Sequence, residues 1–86
     1  MNRAQILTDV KALIVKESDG QIQESDIGVG PDSLRHLGLN SLATLRVLVA
    51  VEDEFGIEWD DDVDEAVMSD LQVMCDHIAD KLGVPA

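Results

Sequence analysis

The sequence predicts an all-α fold: a small four-helix bundle of three longer helices and one short helix, with a long first loop. Leu, Val, Ile and Ala are plentiful, against one Phe, one Trp and no Tyr, a mixture that favours helices over a sheet here. Apolar residues recur at three- and four-residue steps in several stretches, which is the helical period. Glycines and a proline gather between the first two of those stretches. A length of 86 residues with 45% apolar content suits one small domain, residues 1–86, whose single core needs neither a metal nor several disulfides.

Over Arg3 to Glu17 the residues Ile6, Leu7, Val10, Leu13 and Ile14 form an apolar stripe, with Asp9, Lys11 and Lys16 off it. That is an amphipathic first helix, and Ser18-Asp19-Gly20 stops it with a glycine suited to a left-handed C-terminal residue. Residues 20–40 read as a long loop crossing the bundle, with Ile22, Ile27, Val29 and Leu34 as expected anchors and Asp32-Ser33-Leu34-Arg35 as a helical turn. The second helix, about 41–55, is apolar on more than one side. At about 100° per residue Thr44, Val47, Leu48, Val51 and Phe55 face the core, while Leu42, Arg46, Val49 and Asp53 form a narrow second stripe. On periodicity alone that stripe is equally a docking surface or the flank of a widely wrapped core helix. Ile57-Glu58-Trp59 is extended by pattern, and a short helix follows at about 63–68 with Ala66 and Val67 inward. Ser69-Asp70-Leu71-Gln72 has a capping-box pattern. It opens a last helix, about 70–82, with Leu71, Met74, Cys75, Ile78, Ala79 and Leu82 on one stripe before Gly83 and Pro85.

Eighteen acidic residues against six basic ones leave a net charge of −12, which repels a nucleic-acid backbone and steers the protein toward partners bearing Lys and Arg, or simply keeps it in solution. A single cysteine excludes an internal disulfide and points to the reducing cytoplasm. The opening Met1-Asn2-Arg3 leads into no long apolar run, so neither a signal peptide nor a membrane span is expected.

Most of the chemistry-bearing patterns fail on inspection. Gly28-Val29-Gly30 lacks the strand, third glycine and Lys-Ser/Thr of a nucleotide loop and reads as a turn. Asp60, Asp62 and Asp64 open like a calcium loop, but Glu65 stands where glycine is required and Leu71 where the bidentate glutamate belongs, so no metal site is expected. Cys75 lies on an apolar stripe without a basic neighbour and is read as packing. A hydrolase built on Ser41 and His36 lacks the Gly-x-Ser-x-Gly elbow and the sheet that carries it.

Ser41 remains. The loop Leu37-Gly38-Leu39-Asn40 runs into it, so it stands at a helix N-terminus, where open N–H groups and the helix dipole suit an oxygen bearing a phosphate. By spacing alone the plainer role has the better claim: a helix cap, or a first-turn residue behind Asn40 as cap. Leu37-Gly38-Leu39-Asn40-Ser41-Leu42, followed by a helix closing in Glu52-Asp53-Glu54-Phe55-Gly56-Ile57, resembles the 4′-phosphopantetheine attachment region of acyl and peptidyl carrier proteins. The commonest form of that motif reads Gly-Leu-Asp-Ser-Leu, and the resemblance extends over most of the chain.

The resemblance implies a non-catalytic carrier. A phosphopantetheinyl transferase, using coenzyme A and Mg²⁺, would attach 4′-phosphopantetheine to Ser41, and the arm's thiol would hold an acyl or aminoacyl group as a thioester. It turns the second stripe toward docking, with Asn40, Leu42, Arg46, Val49, Glu52 and Asp53 as partner-binding residues and His36 bordering the attachment site. The implied partners are that transferase, an acyl- or aminoacyl-loading enzyme, and a ketosynthase or other thioester-using enzymes, acting on a monomer. Asn40 in place of the usual aspartate, Ala43 where an acid is frequent and Arg46 where Glu is typical point away from a housekeeping fatty-acid carrier. They favour a discrete acyl carrier of polyketide or related secondary-metabolite biosynthesis. The alternatives are a free-standing aminoacyl or peptidyl carrier of a nonribosomal peptide pathway, and an unmodified acidic adaptor of the same fold.

Overall fold

Capping side chains set where each helix begins. In the computed structural model, which describes residues 2–60 and 62–84, the Asn2 side chain accepts from the Gln5 N–H at 2.8 Å and α1 (Arg3–Glu17) follows. Asn40 caps α2 (Ser41–Phe55) in the same way, and Asp64 caps α3 (Glu65–Ser69) by accepting from the Ala66 N–H at 2.9 Å. The last helix, α4 (Leu71–Leu82), starts from Asp70, whose carboxylate accepts from the N–H groups of Gln72 and Val73. The expected cap at Ser69 is thus displaced by one residue. Ser69 still closes α3, its hydroxyl turned back onto the Glu65 carbonyl, and extended Asp70 is the hinge between the two helices.

Among the described residues every regular element is helical, three longer helices and a short one, as the composition and spacing predict. α1 packs against α2 and α4, and α3 against α4. The core interleaves Ile6, Val10 and Ile14 of α1 with Val47, Val51 and Phe55 of α2 and with Leu71, Met74, Cys75, Ile78 and Ala79 of α4. Leu7 and Leu13 flank it half-buried, as do Thr44 and Leu48 of the predicted core face of α2, whereas Leu82 ends its stripe exposed. The short helix is one turn long and buries only Val67. It starts later than the predicted 63–68, and Ala66 points outward rather than in, because a single turn has one inward position to give.

The long loop is held by its own buried residues. Ile27 and Leu34 reach the core and Ile22 packs half-buried against it, but Val29 is 52% exposed. It rides on a bulge between Ile27 and the turn Gly30-Pro31-Asp32-Ser33, which the Ser33 N–H closes onto the Gly30 carbonyl at 3.1 Å. The predicted helical turn after it forms, with the His36 N–H on the Asp32 carbonyl and a 3₁₀ turn at Arg35–Leu37. Buried Ser33 accepts from the Leu71 N–H at 2.9 Å, and the Leu34 N–H donates to the Ser69 carbonyl at 2.9 Å. Arg35 adds an ion pair to Glu65 of α3. These bonds moor the end of the loop to the α3–α4 junction, immediately before α2 begins.

After α2, Gly56 turns the chain with φ +66 and its N–H on the Glu52 carbonyl. Residues 57–60 then run without regular structure; Ile57 is buried and Trp59 lies half-buried, its indole N–H donating to the Leu48 carbonyl at 2.9 Å and its ring stacked on His77. Asp61 of the acidic run lies outside the described residues.

Candidate functional site

The head of α2 is assembled by the loop that precedes it. Gly38 adopts φ +70, a left-handed conformation that a side chain would strain, and ends the 3₁₀ turn with its N–H on the Arg35 carbonyl. Leu37 and Leu39, half-buried on either side, fix the path of the chain through that turn. Asn40 is extended; its side chain accepts from the Ala43 N–H at 2.8 Å and its carbonyl from the Thr44 N–H at 2.9 Å. Ser41 is therefore the first helical residue rather than the cap. It is exposed and its hydroxyl makes no hydrogen bond among the described residues. The N–H groups of Ser41 and Leu42 likewise find no partner there, so open donors and the positive end of the helix dipole surround that hydroxyl. An anion attached at this oxygen would be favoured by both.

Comparison with known proteins gives the family. The family described as "Phosphopantetheine attachment site" matches residues 14–69, from the last turns of α1 to the end of α3. An "Acyl carrier protein" of Guillardia theta is 30% identical over 83 residues, spanning 96% of this chain and 99% of the relative. The chain belongs to the acyl carrier protein family. No solved structure matches it. Membership implies a 4′-phosphopantetheine prosthetic group and a protein that carries rather than catalyses. Acyl carrier proteins interact with phosphopantetheinyl transferases and with acyl-handling enzymes. Among the described residues, no helix of this carrier is long and apolar enough to cross a membrane.

Along α2 the predicted second stripe faces outward. Leu42 is 57% exposed and Val49 47% exposed, with Arg46 and Asp53 exposed between and beyond them. Arg46 forms no ion pair among the described residues. Leu45, 56% exposed, belongs to the same surface and was not among the residues the pattern singled out. It lies about 40° round the helix from Val49 at 100° per residue, so a wider sector would have included it. Asn40 is exposed but engaged as the cap. Glu52 is half-buried, and its carboxylate accepts from the Trp59 backbone N–H at 3.3 Å, which draws it into the fold.

Two recesses flank the start of α2. A cleft of about 290 Å³ opens between the end of α1, the turn after it and the first residues of the helix, with Asn40 and Leu42 on its rim. A smaller cavity of about 120 Å³ lies inward, walled by Ile14, Leu39, Val47, Leu48, Met68 and Met74. His36 is exposed on the 3₁₀ turn and lines neither, and among the described residues it makes no hydrogen bond to the Ser41 hydroxyl. Cys75 is buried against α1. Burial first, and then the neighbouring Asp76 carboxylate, push its thiol from 9.0 up to about 12, with Lys11 pulling the other way. Burial and the raised pKa both suit a packing role rather than a nucleophile. Among the described residues no cluster of His, Cys, Asp and Glu is arranged to hold a metal ion.

Proposed function

We propose that Ser41 carries the 4′-phosphopantetheine arm, that residues 1–86 act as one carrier domain, and that the carrier serves polyketide or related secondary-metabolite biosynthesis. The observation that supports the attachment most is the division of roles at the head of α2. Asn40 takes the cap, which leaves the Ser41 hydroxyl exposed and, among the described residues, unbonded beside two open N–H groups. In loading, that oxygen forms the phosphodiester while coenzyme A releases 3′,5′-adenosine bisphosphate, and the hydroxyl proton passes to a base of the transferase. The bound group supplies a thiol that holds the acyl chain as a thioester.

The carrier's own residues then orient and present. The N–H groups and dipole of α2 steady the phosphodiester, and tethering raises the cargo's effective concentration at each enzyme. Leu42, Leu45 and Val49 offer an apolar surface for a partner, framed by Arg46 and Asp53. Arg46 supports the choice of pathway: a cation in the middle of the docking helix, unpaired among the described residues, welcomes an acidic partner group and repels an enzyme built for a uniformly acidic helix. A core to which all four helices contribute supports the single domain. Intact-mass and peptide analysis of the protein purified from its native host tests the reading. A phosphopantetheine adduct on the Ser41 peptide bearing a polyketide-type acyl chain is expected; an arm on another residue, or one bearing an amino acid, contradicts it.

A further inference from the structure

We propose that the groove between α1 and α2 docks an amphipathic helical segment of a partner protein, one that carries carboxylates at one end of its apolar face and basic side chains at the other. The inference extends the docking role proposed for α2 but does not depend on the arm, because Ser41 does not line this groove. The groove encloses about 470 Å³, more than either recess flanking the start of α2, at about 290 and 120 Å³. Leu13 of α1 and Leu45, Val49 and Ala50 of α2 give it an apolar wall. Leu45 and Val49 are 56% and 47% exposed, too open to serve as core of this chain. The lining runs along α2 from Leu45 to Glu54, roughly 14 Å at 1.5 Å per residue. A helix of about three turns covers that length, and an apolar helix face laid in an apolar groove is a recurrent mode of peptide recognition.

Charge decides the occupant. The chain has six basic residues, and Arg3, Arg35 and Lys81 are held in ion pairs with acids of the fold. Lys11, Lys16 and Arg46 form none among the described residues, and two of these, Lys16 and Arg46, line the same groove. Glu17 lines it as well, half-buried, yet pairs with neither. Glu17 and Arg46 also border the cleft at the head of α2, so the end of α1 that carries Lys16 lies at the Arg46 end of the groove. Asp53 and Glu54 line the opposite end, likewise without an ion pair among the described residues. A wholly basic segment meets Lys16 and Arg46, and a wholly acidic one meets the net charge of −12. A segment bearing both signs, acid toward Lys16 and Arg46 and base toward Asp53 and Glu54, meets opposite charge at each end. A second copy of this chain is the poorer occupant, since it brings a net charge of −12 of its own.

The test titrates the isotopically labelled whole chain with a synthetic helical peptide of about three turns. Its apolar stripe is leucine, with glutamates at one end and lysines at the other; a twin peptide has glutamine in place of glutamate. Saturable amide shifts are expected at Lys16, Leu45, Val49 and Ala50, and the twin should bind about tenfold more weakly through the loss of two rim ion pairs. Lys16→Glu combined with Arg46→Glu should weaken the first peptide at least as much, as should Asp53→Lys combined with Glu54→Lys; all four positions are exposed, so the fold is spared. Shifts confined to other surfaces, equal affinity for both peptides, or self-association of the chain that buries the groove would each overturn the proposal. The same titration on protein treated with coenzyme A and a transferase separates the two readings: an arm on Ser41 without peptide binding refutes the groove alone, and peptide binding without an arm refutes the attachment alone.

Discussion

Asn40 and Ser41 divide between them two tasks that one residue often performs. The carboxamide of Asn40 satisfies the Ala43 N–H, and among the described residues the neighbouring hydroxyl is left without a hydrogen bond, open to the proposed attachment. Asn40→Ala removes the cap and should cost about 1 kcal/mol of stability, read from the denaturant midpoint, whereas Asn40→Asp should retain it. An unchanged midpoint in the alanine variant would mean that the cap contributes nothing. Cys75 makes a second residue-level prediction. Its folded-state thiol is raised from 9.0 to about 12, chiefly by burial. The unfolded chain therefore releases a proton above about 9 that the folded chain keeps, so stability is fully present below that pH and declines as pH rises toward 12. Urea midpoints below and inside this window, compared with Cys75→Ala, should show the advantage of the wild type shrinking as pH rises; a constant advantage contradicts the assignment.

At the scale of elements, the site depends on how the long loop is moored. Ser33 leaves the loop to accept the Leu71 N–H at the buried start of α4. Ser33→Ala strands that donor and should cost about 1–3 kcal/mol in chemical denaturation, with faster amide exchange through residues 34–40 as the mooring loosens. On the proposed docking face of α2, Arg46→Glu should lower the rate of cargo loading by the cognate enzyme, whereas equal kinetics would remove Arg46 from partner selection. α1 and α2 are readable in the sequence because each combines a sustained helical period with a glycine close behind its C-terminus, and both begin and end where that pattern places them. The start of α4 is less so. Ser69 and Asp70 are both good caps, and the choice falls to Asp70 because the Ser69 hydroxyl already bonds Glu65 in the turn before. Ala66 and Val29 misled for related reasons: one helical turn has no period to read, and a loop residue's burial depends on a path fixed by distant bonds. Leu45 was missed because a narrow sector was drawn around Leu42 and Val49.

In the proposed reading the whole molecule is a scaffold for the exposed Ser41 hydroxyl. Ile14 of α1, Val51 of α2 and Ile78 of α4 are fully buried, so the head of α2 rests on a packed core rather than on the loop alone. The net charge of −12 gives the molecule a field that favours basic partner surfaces, and exposed Arg46 interrupts it on α2. Family membership shows in the sequence because the attachment motif and the acidic end of α2 fall at a fixed separation. The recesses flanking the start of α2 do not, since the walls of one come from α1, the loop and α2 together and the other adds Met68 of α3 and Met74 of α4. The account stands on the Ser41 hydroxyl, and the most direct measurement is the intact mass of the protein after incubation with coenzyme A, Mg²⁺ and a broad-specificity phosphopantetheinyl transferase. Wild type should gain one phosphopantetheine and folded Ser41→Ala none; a wild type that gains nothing, or a Ser41→Ala that gains the same group, contradicts the account.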